Sequence, residues 1–230
     1  MAKTTTNAPL TIDGAEIRLV RLPLVTPFTI ATGTMTEKLF PLVRLFSGTH
    51  EGVAEGVMDP LPDYLEETTA GAMDFLSTVL LPGFVGKSFA HPQALARQLT
   101  AWRANYMARA TVDMAFWDLW ARSLNLPLQT VLGGEGDAID VGVSLGIGPV
   151  DQTIGRVRDH LGQGYKRIKL KIMPGWDVAP VRAVRERWPD LPLQVDANSA
   201  YTLDEALQLR ELDAFGLLLK TLDTDLAHVR

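Results

Sequence analysis

Lys166-Arg167-Ile168-Lys169-Leu170-Lys171 and, further on, Gln194-Val195-Asp196-Ala197-Asn198 are the segments whose reading decides the fold. Both read as short strands. Between them Pro174-Gly175-Trp176-Asp177 breaks the chain, and Val178 to Trp188 reads as a helix. Strand side chains alternate faces, so Ile168 and Leu170 point one way while Lys169 and Lys171 point the other. Two ammonium groups on one face of a buried strand are costly unless they serve a purpose. The second strand then ends on a carboxylate, Asp196. A lysine pair and a carboxylate at the carboxyl ends of neighbouring parallel strands stand where α/β proteins place their chemistry.

Outward from this unit the same rhythm continues. Gly133-Gly134-Glu135-Gly136-Asp137 is the best domain boundary in the chain. After it come a strand (Ile139 to Leu145), a helix (Asp151 to Gln163, stopped by Gly164), the lysine strand, the Val178 to Trp188 helix, the Leu193 to Asp196 strand and a helix over Leu203 to Leu212. That last helix starts at Thr202 or Asp204, and a further strand lies around Phe215 to Leu219. Such alternation predicts right-handed βαβ units and a parallel sheet. Upstream, Ala15–Leu22, Lys38–Phe46 and Gly52–Met58 read as an antiparallel meander. Pro23 to Thr36, rich in threonine and glycine, reads as a long loop, either a lid or a connector. Helical spacing runs over Glu66–Leu81, Pro92–Tyr106 and Met107–Leu124. The last of these is apolar nearly all round, which predicts burial on most sides, and Asn125 and Pro127 supply its stop. Met1 to Thr11 is polar and reads as a frayed end.

The totals narrow the function. The chain has 230 residues, 47% hydrophobic, and a formal net charge of -5, enough for one large domain or two smaller ones. Mild acidity without a basic, aromatic-interleaved patch argues against nucleic-acid or membrane-surface partners. Cysteine is absent, so disulfides and thiolate metal sites are excluded, in keeping with a reducing cytoplasm. Met1 to Leu10 has no apolar core of a secretory signal, and no apolar run approaches the roughly 18 residues of a membrane helix. A cytoplasmic protein is expected.

Four patterns carry chemistry. Lysines two apart on one strand face would lower one another's pKa and leave a neutral amine as a base; lysines on an edge strand would instead guard against aggregation. Asp196, with Asn198, is either an oxygen ligand for a divalent cation or a cap for the helix near Thr202. Gly142-Val143-Ser144-Leu145-Gly146 matches the nucleophile-elbow pattern of serine hydrolases, and Asp196 and His228 follow in the required order. Its context is poor, because the next helix cannot begin before Pro149 and Ser144 is left at the end of a strand. His50, His91, His160 and His228 make no pair at metal-ligand spacing. No phosphate loop or dinucleotide fingerprint occurs, and Trp102, Trp117 and Trp120 read as core.

Taken together, these stretches carry a resemblance. The chain resembles the amino-terminal part of enolase-superfamily enzymes of the muconate-lactonizing subgroup, and within it N-acylamino acid racemases and o-succinylbenzoate synthases. The resemblance runs from about Ile12 to about Phe215. It rests on Met107-Ala108-Arg109-Ala110 leading to Trp117-Asp118-Leu119-Trp120-Ala121, then Leu132-Gly133-Gly134 and Val141 to Gly146. Lys169-Leu170-Lys171, Pro174 to Asp177, and Val195-Asp196-Ala197-Asn198-Ser199-Ala200-Tyr201 complete it. It implies an α+β capping domain over 1–134 followed by an incomplete (β/α) TIM-type barrel over 135–230, holding the first three to four strands. It implies that Lys171 is a catalytic base with Lys169 as its pKa-lowering neighbour, and that Asp196 is the first of three magnesium carboxylates. Ser144, Thr26, Thr34 and Asn198 would contact a small-molecule carboxylate substrate, with the Thr26 to Thr34 loop closing over it. The metal would stabilise the enolate formed as the α-proton leaves.

The resemblance also sets expectations that the sequence does not meet. A second metal carboxylate is due near Thr221, where none stands; Asp223 and Asp225 are close but off the pattern. A third carboxylate and an opposing lysine would come later still. The expectation is therefore a carboxy-terminally truncated chain with little or no turnover alone, acting as a homo-oligomer or with a complementing half-barrel. A non-catalytic half-barrel scaffold is the alternative, and a serine hydrolase through Ser144 a distant one.

Overall fold

The computed structural model describes residues 8–63 and 65–220. They form two compact units, one of residues 1–23 and 37–136, the other of residues 24–36 and 137–230. Among the described residues no helix is long and apolar enough to cross a membrane.

The first unit is built on strands β1 (Leu10–Thr11), β2 (Gly14–Ile30), β3 (Gly33–Ser47) and β4 (His50–Glu55). β2, β3 and β4 make a three-stranded sheet in that order, β3 and β4 antiparallel with Leu42 opposite Glu55 and Ser47 opposite His50. The segment 23–36, read from sequence as a loop, is instead mostly strand. It is the outer half of the β2–β3 hairpin, turning at Ala31 and Thr32. Pro23 and Pro27 obscured it, yet β2 is an edge strand, where a missing N–H costs no ladder bond.

Helices follow: α1 (Thr69–Phe75), a π-turn over Leu76–Leu80 and α2 (Leu81–Phe84) run on as one rod. The two-residue strand β5 (Ser88–Phe89) pairs antiparallel with β1. α3 (Pro92–Leu99), α4 (Tyr106–Ser123) and α5 (Leu128–Val131) complete the unit. α3 ends well short of Tyr106, because Ala104 and Asn105 turn the chain at positive φ. α4 is buried on most sides, as its composition predicts. Val112, Ala115, Phe116 and Leu119 are fully buried, whereas Tyr106 and Met114 are exposed. Its first turn is capped from afar, the Glu67 carboxylate accepting from the N–H groups of Met107 (2.8 Å) and Ala108 (3.1 Å). Asn125, just past its end, adopts the left-handed conformation at φ 51°. β4 lies so close to α4 that a Cβ on Gly52 would stand 2.2 Å from the Ala115 carbonyl oxygen.

One polar group on α4 is poorly served. Asp113 is half-buried, its Oδ1 has no hydrogen-bond partner among the described residues, and burial raises its pKa. A folded-state pKa above the unfolded value means stability is highest below the unfolded value and falls as pH rises through the folded one. Asp113→Asn is therefore expected to stabilise the protein near pH 7 by on the order of 1 kcal/mol, allowing for solvent screening. The gain should shrink towards zero below the ordinary aspartate pKa. Urea melts of both proteins at pH 7 and at low pH check this; an unchanged difference would count against it.

The second unit holds a four-stranded parallel sheet in sequence order: β6 (Gly142–Leu145), β7 (Arg167–Lys171), β8 (Leu193–Asp196) and β9 (Leu218–Lys220). Between them lie α6 (Val150–Gly162), α7 (Val178–Arg187) and the single turn α8 (Leu203–Ala206), which runs into a 3₁₀ helix over Leu207–Phe215. This is the strand–helix alternation of a partial (β/α) barrel. β6 begins at Gly142 rather than Ile139, since Ile139 and Val141 are exposed. Ile168, Leu170, Val195, Val157, Val181 and Val184 are fully buried between sheet and helices. Gly164 ends α6 at φ 96°.

Arg185 fastens the far end of α7. Its guanidinium donates to the carbonyls of Phe215 (3.0 Å), Pro189 (2.7 Å) and Leu191 (2.8 Å). A lysine has no fork to do the same. Arg185→Ala is expected to destabilise the second unit by about 2 kcal/mol, since three charge-assisted bonds, two of them part-buried, are lost together. Hydrogen exchange of β8 amides reads the effect; protection unchanged from wild type would refute it.

Candidate active site

β7 is an interior strand between β6 and β8, so its lysines are not guards on a sheet edge. The alternation holds. Ile168 and Leu170 are fully buried in the sheet–helix core, while Lys169 and Lys171 leave by the opposite face. Parallel pairing places Lys171 in register with Asp196, and Ser144 in register with Lys169. Residues in register share a face, and that sets the site.

Both ammonium groups donate to the same atom, Asp196 Oδ2, at 3.1 Å from Lys169 and 3.0 Å from Lys171. Lys171 is 7% exposed and Asp196 3%. The Lys171 ammonium also donates to Asn198 Oδ1. The other Asp196 oxygen, Oδ1, accepts the Asn198 backbone N–H at 3.1 Å. Burial is the largest influence on the Asp196 carboxyl and raises its pKa. Hydrogen bonds from Lys171, Lys169 and the Asn198 N–H together outweigh it and hold the group below the ordinary aspartate value. The two lysines are thus answered by a carboxylate, which the expectation of mutual repulsion on a bare strand face left out.

Asp196 does not cap the following helix. That task falls to Thr202 and Glu205: Glu205 Oε2 accepts from the Thr202 N–H (2.9 Å), and the Glu205 N–H donates to Thr202 Oγ1 (3.4 Å). Between Asp196 and this box the chain turns sharply, with Asn198 at φ 49° and Ser199 at φ 59°. Two consecutive non-glycine residues in the left-handed region cost of order 1–3 kcal/mol each and need surrounding contacts to hold them. One contact is Tyr201, buried at 3% exposure, whose hydroxyl donates to Asp177 Oδ2 at 2.9 Å. Burial first, then the bond to Asp177 and the charges of Asp177 and Glu205, push the Tyr201 phenol up, so it stays a donor. Asp177 Oδ1 meanwhile accepts the Val178 N–H and caps α7. Sequence reasoning gave neither residue a role; an aspartate directly before a helix was the one signal available.

Ser144 lies within β6, and its Oγ is buried without a hydrogen-bond partner among the described residues. No strand-to-helix turn forms at the serine, since α6 begins only at Val150. A nucleophile elbow needs both that turn and a base on the hydroxyl. His228, the proposed base of that reading, lies outside the described residues. The hairpin tip, part of the second unit, reaches the end of β6. The Thr29 carbonyl accepts the Ile147 N–H at 2.9 Å, and a Cβ on Gly146 would stand 2.9 Å from the Thr29 backbone. Thr34 joins Thr29 through their hydroxyls at 2.9 Å, whereas Thr26 stands exposed and makes none of these contacts.

The donor chemistry for a magnesium ion is thin. Asp196 offers hard oxygen, but its Oδ2 carries two ammonium groups and its Oδ1 a backbone N–H. Among the described residues no group of three His, Cys, Asp or Glu could hold a metal. Magnesium asks for near-octahedral oxygen coordination, and these residues alone do not supply it. The positions around Thr221, Asp223 and Asp225 lie outside the described residues.

Residues 14–133 match the family described as Mandelate racemase / muconate lactonizing enzyme, N-terminal domain, and residues 153–219 match Enolase C-terminal domain-like. An N-succinylamino acid racemase of Thermus thermophilus is 49% identical over 207 residues, covering 90% of this chain and 56% of the relative. An o-succinylbenzoate synthase of Geobacillus kaustophilus is 42% identical over 212 residues, covering 91% and 56%. The crystal structure of an enolase-superfamily member from Listeria innocua superposes with a TM-score of 0.86 at 34% identity, covering 93% of this chain and 58% of the other. The chain thus spans a little over half the length of the curated relatives it matches.

Proposed function

Because this chain belongs to the mandelate racemase/muconate lactonizing enzyme family of the enolase superfamily, we propose that it serves abstraction of a proton α to a substrate carboxylate. The substrate class is an N-acylated amino acid or the precursor of an o-succinylbenzoate. Lys171 is the base and Lys169 its charged neighbour, with Ser144, Asn198, Thr26 and Thr34 towards the substrate. Residues 1–134 act as capping domain and 135–230 as barrel domain. The supporting observation is the buried Lys171 at the carboxyl end of β7, held against Asp196 and Asn198 at the end of β8.

The chemistry of Lys171 follows from that contact. Its neutral amine takes the α-proton, and the electron pair left on carbon delocalises into the substrate carboxylate. The ammonium so formed lies against an anionic oxygen of Asp196 and the amide oxygen of Asn198, both of which favour it. Lys169 keeps a second positive charge in the same site. Asp196 is proposed as one magnesium ligand. A metal, when bound, would draw charge from the substrate carboxylate.

The test is deuterium wash-in at the α-carbon of an N-succinyl amino acid in heavy water with magnesium, followed by proton NMR. Exchange needs only one base, so it asks least of the site. Full turnover of a substrate by this chain alone is expected to be slight or absent. One-base exchange above the protein-free rate is nevertheless the expected result; none from a sample shown folded by circular dichroism would overturn the reading.

A further inference from the structure

Asn198 meets Lys171 from a turn that the strand ladder does not hold in place. β8 ends at Asp196, and Asn198 and Ser199 both lie in the left-handed region. Within the turn, the Ala200 N–H donates to the Ala197 carbonyl and the Asn198 N–H to Asp196. These backbone bonds lie within the turn, and the Asn198 side chain reaches Lys171 of β7. The Ile172 N–H bond to the Asp196 carbonyl ties only its near end. Its far end is tied by Tyr201, whose hydroxyl crosses to Asp177, the residue that opens α7. Asp177 in turn follows the tight Met173–Trp176 turn directly after β7, closed by two backbone bonds with Gly175 at φ 80°. The two loops that leave the ends of β7 and β8 are therefore joined side chain to side chain.

We propose that the Asp177–Tyr201 hydrogen bond is a positioning clasp that keeps the Asn198 amide oxygen on Lys171. Tyr201 and Asp177 are positioning residues in this account. They act through Asn198, and the consequence for turnover rests on the reading of Lys171 as the base. The phenol suits the task because a buried donor on a rigid ring has few other arrangements. Asp177 suits it because its two oxygens serve two donors, one on its own helix and one on the neighbouring loop.

The experiment compares wild type, Tyr201→Phe, Asn198→Ala and the double variant, each checked for folding by circular dichroism. The first readout needs no turnover: the rate of Lys171 acetylation by dilute acetic anhydride, followed by peptide mass spectrometry. Tyr201→Phe is expected to speed acetylation about fivefold, Asn198→Ala to do the same, and the double to go no further than either single, because the effects run through one contact. The second readout is α-deuterium exchange. There Tyr201→Phe should lower kcat about tenfold with KM unchanged, since a misplaced group harms the step and not ground-state binding. Unchanged acetylation in Tyr201→Phe, or a double variant equal to the product of the singles, would overturn the clasp. If wild type shows no exchange, the functional reading falls while acetylation still decides the clasp. Should Tyr201→Phe fail to fold, Asp177→Ala replaces it, because a methyl group offers the Tyr201 hydroxyl no partner at all. The same acetylation gain is expected there, and no gain overturns the proposal.

Discussion

Lys171→Ala is expected to lower α-deuterium exchange by roughly 10²–10⁴-fold, the range that a positioned general base contributes. The loss should fall on kcat and on kcat/KM alike, because the amine acts in the transition state and not in holding the substrate. Lys169→Ala serves as the comparison. Its ammonium meets the same Asp196 oxygen from a more open position, with a side chain 22% exposed against 9% for Lys171. It should reduce the rate by less, since a neighbouring charge is removed and the base remains. Proton NMR of the α-position, with each variant at matched folded concentration, gives both numbers. Equal exchange in wild type and Lys171→Ala would remove Lys171 from the role of base. A larger loss for Lys169 than for Lys171 would reverse the assignment.

Gly52→Ala is expected to produce the largest loss of stability in the first unit. The added methyl group would lie 2.2 Å from the Ala115 carbonyl oxygen, 2.3 Å from the Leu119 nitrogen and 2.5 Å from the Leu119 Cβ. Two of these neighbours are backbone atoms of α4, which no rotamer change can withdraw. Relief requires β4 and α4 to separate, opening the contact on which Phe116 and Leu119 are buried. Overpacking of a well-filled core typically costs about 1–3 kcal/mol, and a backbone collision belongs at or above the upper end. Thermal melting should shift down by roughly 10 °C or more for a unit of this size. A shift of a degree or two would show that strand and helix are not so closely opposed.

The second unit was the more legible part of this sequence. Lys169, Lys171 and Asp196 followed from two simple facts, alternation along a strand and the crossing of a helix between parallel strands. The parallel register then made Lys171 the neighbour of Asp196 without further information. What stayed hidden depended on partners far away in sequence. Glu67 caps a helix some forty residues later, and no local pattern announces it. Tyr201 finds Asp177 only after both loops have been folded onto the same end of the sheet. The hairpin over 23–36 was missed for a different reason. Proline and glycine there outweighed the Val, Thr, Phe and Ile that favour strands, because the edge position that tolerates proline is a property of the sheet and not of the segment. The burial of α4 on most sides was legible in its composition, and the exposed residues Tyr106, Ala110 and Met114 lie along one narrow stripe.

The hairpin tip has a consequence for how the chain is assembled. Residues 24–36 are made early, yet they pack with residues 137 onward, and the bond between Thr29 and Ile147 spans the 37–136 stretch of the first unit. Closing so long a loop is entropically costly and slow, and contacts of this kind raise contact order. The second unit therefore cannot finish folding from residues 137 onward alone. A cut near Gly136 would separate two fragments, neither complete, with the strand pair that finishes one carried away by the other. Proteolytic dissection, expression as separate halves and co-translational folding should all meet the same obstacle. The end of β6 gains its hairpin only once the chain on both sides of residues 37–136 has been made.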